Sequence, residues 1–488
     1  MPNDFAFISV GDPGKSSDAD RLLIRSHVMR GRNKRLGSRR CVREAARRTD
    51  APPATSAITR GRKSALREST GSSPEPADTE LAVQEQDGRK GNEQPRKGFA
   101  AACIQLDQQI RSRSGVFASL DNTETGYGEL ISELLKYDSA NAAAFPIKQS
   151  IEFDEPENAC VPWIFSNMAF AHSVFFATSA TNDFRLGRPF TSSTLIYLKR
   201  TIRCLNKQLG EDGGHLDDST TYTIVTLAIL ATLFGDLTAA RAHMIGLQRI
   251  IGLRGGESYL SERPKQYFML ERLDLTWSVQ SGALPHYSHE PVDWRSAFTG
   301  PRAVFDTTSL ALMVAELVDS RLATVFQDFQ RLTKLINAHA EKDGRLKGDI
   351  FQHVLGSIQR RLLWLRFPQD DGWSERLRLG MLAYLTTTFQ LSGRKISYDY
   401  LSARYRLSCQ MLEASTLSTS MRTLTAWLLL VGATSVFEPS EPWLRATWND
   451  TAIAGENWED AQHRLESVLW ISHIQDETGR RAYAALTQ

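Results

Sequence analysis

Apolar residues near the middle of the 488-residue chain recur at steps of three and four, the spacing of an amphipathic helix. This apolar stripe consists of Leu237, Ala240, Met244, Leu247 and Ile251. Asp236 stands just before it, where a carboxylate can accept the free N–H groups of the first turn. Gly255 and Gly256 follow it, and glycine tolerates the positive φ angles of a chain reversal. Residues 221–234 are apolar nearly all round and are separated from the stripe only by Gly235 and Asp236, which predicts a tight antiparallel helix pair.

Helical spacing dominates the remainder of the chain from residue 99 onward. In the clearest case one face carries Phe351, Val354, Leu355, Ile358, Leu362 and Leu365, opposed by Gln359, Arg360 and Arg361. Further helices are predicted at 130–135, 163–178, 195–209, 267–279, 310–338, 374–391, 398–415, 420–437 and 458–473. No convincing run of strands is present. The predicted fold class is therefore all-α, with one large domain at 99–488 in which roughly a dozen helices pack as hairpins in a bundle.

The N-terminal region differs from this body in charge and in hydrophobicity. Between Arg21 and Arg67 there are 15 Lys and Arg residues and two acidic residues, although the whole chain has a net charge of only +2. Residues 49–98 are rich in Pro, Ser, Thr, Glu and Gly, and they contain too few large apolar residues to offset the entropy of ordering. The sequence thus predicts a basic motif at 1–48 and a disordered linker at 49–98.

The densest part of the basic motif has three interpretations. Its cationic residues are Arg30, Arg32, Lys34, Arg35, Arg39 and Arg40. A nuclear import signal, a contact with nucleic-acid phosphates and a solvated arm with no specific partner all fit such a cluster. The region has no aromatic residues that could stack on bases, so base-specific recognition by this arm alone is not expected.

The cysteines exclude a zinc cluster of the binuclear type. They are Cys41, Cys103, Cys160, Cys204 and Cys409. Such a cluster needs six cysteines with close pairs, so that thiolates on a short loop can enclose the metal. A sparse, odd set also argues against a secreted disulfide framework. Because the chain lacks a long uninterrupted apolar window and a secretory signal, we expect a soluble, intracellular protein without a membrane segment.

A three-residue motif near the N-terminus has the residue types of a phosphate-binding loop. Gly14, Lys15 and Ser16 match the end of that loop. The first glycine of the loop is missing, because Ser9 stands at its position, and no parallel-sheet pattern follows. We interpret the motif as a polar turn.

Two histidine-containing segments could in principle bind a metal ion. His215 lies among Glu211, Asp212, Asp217 and Asp218. His286 and His289 are three residues apart, whereas zinc hydrolases need two histidines four apart on one helix face. The flanking prolines also forbid a regular helix there. Both segments are better interpreted as loops, the first followed by a helix that Asp218 or Ser219 caps.

Two further positions have a chemical and a structural interpretation. Asp370 and Asp371 resemble the aspartate-rich metal motif of terpene cyclases, but those enzymes need a second metal-binding triad, and none is visible. The alternative is a helix start capped by Ser374. His243 lies beside the central apolar stripe and is interpreted as a hydrogen-bonded core residue. The sequence therefore predicts no catalytic residues, no cofactor and no metal.

The central pair resembles the signature of the fungal-specific transcription factor domain, an all-helical regulatory domain that usually follows a binuclear zinc cluster. The matching residues are Gly235, Asp236, Ala239, Ala240, His243, Gly246, Leu247, Arg254, Gly255 and Gly256. The resemblance extends to residues 194–209 before the pair and 271–287 after it. The opening of the chain, with Pro13 and residues 24–31, resembles a subgroup of this family that lacks the zinc cluster.

The resemblance implies a nuclear regulator of transcription in a fungus. Its helical domain would act through other transcription factors or co-regulators and a small effector, and its basic arm would make non-specific contacts with DNA. Two hypotheses from other classes remain. One is a helical protein-interaction scaffold with no transcriptional role, since the pair also resembles a single tetratricopeptide unit, although the period of about 34 residues does not recur. The other is a metal-dependent helical enzyme.

Overall fold

The computed structural model describes most of the chain from residue 147 onward. The described residues are 147, 150–152, 164, 166–288, 292–298, 309–368, 372–388, 395–412, 417–451 and 453–488. The predicted basic motif, the linker and the helix at 130–135 lie outside these residues. The same holds for the motif at 14–16, for His289 and for the aspartates at 370–371.

The first part of the described chain consists of helical hairpins joined by short loops. In chain order the helices are α1 (Met168–Arg185), α2 (Ser192–Gly210), α3 (Asp218–Leu233), α4 (Leu237–Leu253), α5 (Glu257–Ser261) and α6 (Pro264–Ser281). A 3-10 turn at Gly214–Leu216 joins α2 to α3. Helix α1 pairs with α2 and α3 pairs with α4, while α1, α3 and α6 pack against one another in succession. The helices therefore stack as consecutive antiparallel pairs.

The second part surrounds two central helices. Its helices are α7 (Ser309–Leu317), α8 (Ser320–Ala340), α9 (Gly348–Trp364), α10 (Gly372–Thr387), α11 (Asp399–Gln410), α12 (Thr419–Ser435), α13 (Pro442–Asn449), α14 (Trp458–Val468) and α15 (Ser472–Thr487). Helices α10 and α12 pack together and are buried over most of their lengths. The strands Ile151–Glu152 and Leu346–Lys347 form one short parallel pair. The all-α prediction is confirmed, and none of the described helices is long and apolar enough to cross a membrane.

Two large hydrophobic clusters form most of the core of the described residues, and α6 belongs to both. A third, small cluster contains Phe170, Ala171, Val174 and Phe175 of α1. The N-terminal cluster contains buried apolar side chains from α1 to α6, including Leu270 and Leu273. The C-terminal cluster contains those of α6 to α15, including Leu275 and Val279. Residues 270 and 273 are one turn apart, and 275 and 279 lie on the opposite side of the same helix. Helix α6 thus connects the two parts of the core.

Two predicted helices are each divided in two. The segment predicted at 310–338 breaks between α7 and α8, where Asp319 accepts a hydrogen bond from Arg321 N (2.8 Å) and donates its own N–H to Ser374 Oγ (3.1 Å). The segment predicted at 458–473 breaks between α14 and α15, where Trp427 Nε1 donates to the carbonyl of Leu469 (2.6 Å). In both places a side chain from a helix distant in the sequence stabilises the break. The prediction of one continuous helix was therefore wrong for each segment.

Three local predictions also need correction. Helix α1 begins and ends later than the segment predicted at 163–178. Asp217, rather than Asp218 or Ser219, caps α3, because its carboxylate accepts from Ser219 N (3.1 Å). Ser374 lies within α10 and is therefore not its N-cap. Each error concerns an element boundary and leaves the helical assignment itself in place.

Candidate functional site: the central helix pair and its anchors

The link between α3 and α4 is as short as the sequence predicts. Gly235 has φ +82°, a left-handed conformation that glycine adopts without steric cost. Asp236 N donates to Ala231 O (2.9 Å), which closes the end of α3. The Asp236 carboxylate accepts from Ala239 N (2.9 Å) and so caps α4. Two residues therefore end one helix and start the next.

The predicted apolar stripe of α4 faces the N-terminal cluster. Ala240, Met244, Leu247 and Ile251 are buried, and Leu237 is half-buried. Gly246 is also buried in this helix. Burial of this face against α3 stabilises the pair through the hydrophobic effect.

His243 lies in the core beside this stripe, with only 5% of its surface exposed. Burial disfavours the charged imidazolium and lowers the pKa of His243 to about 4, although the carboxylate of Asp236 opposes the shift. The imidazole is therefore neutral at physiological pH. Its position agrees with the interpretation of His243 as a core residue.

Arg254, at the end of α4, ties this helix to the start of α3. Gly255 (φ +110°) and Gly256 (φ +63°) reverse the chain directly after it. The Arg254 guanidinium forms an ion pair with Asp218 and donates a hydrogen bond to Thr221 Oγ1 (3.1 Å). Only 8% of the Arg254 side chain is exposed. The Asp218 side chain is 35% exposed. Its partial burial would raise the pKa of Asp218, but the hydrogen bond and charge of Arg254 lower it, so the carboxyl of the pair is charged.

Tyr259, on the short helix α5, completes this anchor. Its ring lies between two guanidinium groups, 4.2 Å from Arg254 and 4.4 Å from Arg263. Both contacts are within cation–π range. The Tyr259 hydroxyl donates to Gln266 on α6 and lies 3.2 Å from the Asp218 carboxylate. Arg254 and Tyr259 together therefore connect the four consecutive helices α3 to α6.

Asp274 on α6 holds the segment that follows this helix. Its carboxylate accepts three backbone N–H groups, from His286 (2.6 Å), Tyr287 (2.8 Å) and Ser288 (2.8 Å). The side chain is inaccessible to solvent, and burial raises the pKa of Asp274 to about 6 while the three hydrogen bonds oppose the rise. Asp274 thus caps the backbone N–H groups of a segment that lies 12 to 14 positions later in the sequence.

Tyr287 joins the central helix pair to the segment at 271–287. Its hydroxyl donates to the carbonyl of Met244 on α4 (2.9 Å), and its ring is buried. Asp274 holds the Tyr287 backbone, while the Tyr287 side chain binds the central helix pair. Residues 235–256 and 271–287, which 14 residues separate in the sequence, thus form one connected unit.

A buried charged network connects α6 to α9. Glu271 Oε1 lies 3.0 Å from the Arg360 guanidinium, and Gln359 donates to the Glu271 carbonyl. The carboxylate sits against Gly356, where a Cβ atom would come within 2.5 Å of it. Burial raises the pKa of Glu271 to about 7, against the opposing charge of Arg360. Desolvation therefore outweighs the ion pair at this carboxyl.

The other sequence candidates give no assembled site among the described residues. His215 lies in the 3-10 turn before α3, and His286 lies in the irregular segment after α6, as loops were predicted for both. Across the described ranges, no three His, Cys, Asp or Glu side chains are placed to hold one metal ion. Cys204 and Cys409 are free thiols. The six cationic candidates of the basic motif lie outside the described residues.

Sequence reasoning missed the residues that anchor the signature. Asp274, Tyr287 and Tyr259 were not singled out, and Arg254 was noted only as part of the motif. One signal was available for Asp274, since an acid on the buried face of a helix needs partners that neighbouring helical positions do not supply. Nothing local identified Tyr259, whose partners come from three helices.

No protein-family model, no curated protein and no solved structure matches this chain.

Proposed function

We propose that the protein is a fungal transcriptional regulator or co-regulator that acts through its helical body and has no zinc cluster of its own. One observation carries the proposal. The residues that resemble the fungal transcription factor domain occupy positions with specific structural roles in an all-α fold: Gly235 and Asp236 link the helix pair, Gly255 and Gly256 reverse the chain, and Tyr287 joins the two matching segments.

In the proposed mechanism the basic motif and the helical body have separate roles. The basic motif directs the protein to the nucleus and contacts DNA phosphates without base specificity. The helical body binds another transcription factor or a co-regulator and responds to a small effector. Regulation then depends on the helical surface, because sequence-specific DNA recognition comes from the partner.

A reporter assay tests the regulatory role. The full chain is fused to a heterologous DNA-binding domain and expressed with a reporter that carries its sites. We expect a several-fold change in reporter output that persists when residues 1–48 are deleted, since the fused domain replaces their role. Unchanged output at equal nuclear protein levels would contradict the proposal.

A localisation assay tests the basic motif with a matched control. We expect a fluorescent fusion to accumulate in the nucleus and to lose this accumulation when the six candidate cations are replaced by alanine. These are Arg30, Arg32, Lys34, Arg35, Arg39 and Arg40. The control replaces six other cations of the same region and should remain nuclear. These are Arg43, Arg47, Arg48, Arg60, Arg62 and Lys63. A fusion that is cytosolic with and without the motif argues against a nuclear regulator.

A DNA-shift assay over a salt titration tests the phosphate contact. We expect full-length protein to bind unrelated duplexes equally and to release them as salt rises, because counterion release drives such binding. A version that lacks residues 1–98 should not bind. Selective, salt-resistant binding would instead indicate base recognition.

A second candidate function is a helical interaction scaffold with no transcriptional role. The succession of α1, α3 and α6 favours it, because stacked helical pairs present extended surfaces to partners. The reporter assay separates the two functions: a nuclear fusion that leaves reporter output at baseline supports the scaffold.

A further inference from the structure

Helix α2 has a solvent-exposed face that combines aliphatic and cationic side chains. Its buried side consists of Thr194, Thr201, Ile202, Leu205 and Leu209, which face the N-terminal part of the fold. On the other side, Leu195 is 41% and Ile196 is 47% exposed. Lys199, Arg203 and Lys207 continue this exposed face at steps of four. We call these five residues the α2 face.

The charge of the α2 face is not balanced by acids of α2 itself. Helix α2 contains four Lys and Arg residues and no acid. Among the ion pairs of the described residues, none involves Lys199, Arg203 or Lys207. Asp183, the one acid of the α1–α2 hairpin, is buried and accepts hydrogen bonds from Arg188 and Thr191. Glu211 and Asp212 follow the C-terminal end of α2, beyond Lys207. The three exposed cations are therefore available to an external anion.

The spacing of the cations fits a helical partner. Residues four apart on a helix lie about one turn, or roughly 6 Å, from each other along one face. Carboxylates at the same spacing on a second helix would lie opposite Lys199, Arg203 and Lys207. Leu195 and Ile196 extend the face by one more turn, where they would contact apolar side chains of the partner.

The aliphatic end of the face decides between two kinds of anionic partner. Nucleic-acid phosphates would pair with the cations but would leave Leu195 and Ile196 in contact with water. An acidic protein segment with large apolar residues would cover both features. Acidic segments of this composition are common in the disordered activation regions of regulatory proteins.

We propose that the α2 face binds an acidic, leucine-containing segment of another protein. The proposal rests on the proposed function for its nuclear setting, and it names the class of partner that the helical body recognises. The cations accelerate the encounter and fix the register, while Leu195 and Ile196 supply the apolar contact.

Fluorescence anisotropy with full-length protein at about 150 mM salt, near physiological ionic strength, tests this binding. The probe is a fluorescein-labelled 18-residue helical peptide of Glu, Leu and Ala. It has three glutamates four residues apart and two leucines one turn beyond them. Two comparison probes are the same peptide with alanine in place of leucine and an 18-base-pair DNA duplex. The basic motif is present in every protein variant and contributes the same background.

The expected result is a loss of about tenfold or more in affinity for the glutamate-leucine probe in K199E/R203E/K207E. L195S/I196S should lose a similar amount for this probe and little for the alanine probe. The matched control K334E/K342E/R345E changes charge equally at exposed positions on α8 and its following turn and should bind as the native chain does. Far-UV circular dichroism and thermal melting verify that each variant is folded.

Three outcomes would overturn the proposal. They are an absence of binding to the glutamate-leucine probe, an equal loss in the control variant, and tighter binding of the duplex through the α2 face. The last outcome would assign the face to nucleic acid. Because the assay uses purified components, a negative result leaves the reporter assay informative. A reporter failure with intact peptide binding would reject the transcriptional role alone.

Discussion

Single residues of the signature have backbone roles that substitution can measure. Gly255 has φ +110°, a conformation that an alanine adopts only with strain. Gly255→Ala should therefore lower the free energy of unfolding by about 1–2 kcal/mol. Urea denaturation followed by circular dichroism measures the change.

The neighbouring Gly252 provides a matched control with the opposite sign. It lies in α4, is exposed, and has open space where a Cβ would be placed. Gly252→Ala should leave stability unchanged or raise it by up to about 1 kcal/mol, because alanine has the higher helix propensity. Equal effects at the two glycines would contradict the role assigned to the chain reversal.

Glu271 should make stability depend on pH. In the folded chain burial raises the pKa of Glu271 to about 7, from an ordinary value of 4.5. The folded state therefore holds a proton that the unfolded state releases, and stability falls as pH rises between these values. Across this pH interval the free energy of unfolding should fall by on the order of 3 kcal/mol. Glu271→Gln should match the native chain near pH 4.5 and become more stable than it near pH 7. If the difference in stability between Glu271→Gln and the native chain does not vary with pH, Glu271 is not the source of the pH dependence.

Among the elements, Arg254 connects the ends of three helices through one side chain. Arg254→Lys keeps the charge but loses the planar group that reaches Asp218 and Thr221 together and stacks on Tyr259. We expect stability to fall by about 1–2 kcal/mol in denaturant titrations, because the Arg254 side chain is buried and would lose several of its partners together.

An exposed pair tests whether burial is the cause. Arg295 makes a similar forked contact with Asp293, but 89% of the arginine side chain and 60% of the aspartate side chain are exposed. Arg295→Lys should leave the unfolding midpoint unchanged, because water and salt screen such pairs. If both lysine variants have the same midpoint, the anchor role of Arg254 is wrong.

The elements also show why the sequence predicted the helix pair well and some helix ends badly. Gly235 and Asp236 encode the turn locally, so the link and the stripe of α4 were confirmed. The break before α15 has no such local signal. It depends on Asn337, whose amide donates to Trp470 O (2.9 Å), and on Trp427, whose indole binds Leu469 O. Helical periodicity cannot reveal carbonyls that distant side chains capture.

The same distinction applies to the candidate site. The signature glycines were identified because their conformations follow from residue type. Asp274 and Tyr287 were missed because their partners are backbone groups 12 to 43 positions away. Sequence patterns predicted which helices form the site, while tertiary contacts decide how the loop after α6 is attached to α4.

At the scale of the whole molecule, α6 determines whether the described fold unfolds in one step. Leu273 belongs to the N-terminal cluster, and Leu275 belongs to the C-terminal cluster. Since both side chains lie on one rigid helix, loss of either cluster removes support from the other. We expect hydrogen exchange in peptides from α3 and α12 to begin at the same urea concentration.

Two variants of α6 test this coupling from its two sides. Leu275→Ala removes apolar contacts from the C-terminal cluster only, and a buried leucine is worth about 2–5 kcal/mol. If α6 couples the clusters, Leu275→Ala should shift exchange in α3 and α12 equally, and so should Leu273→Ala. Separate transitions in the native chain, or a shift confined to the cluster that carries the substitution, would mean that the two clusters unfold independently. The α2 face would then belong to a unit whose stability does not depend on α7 to α15.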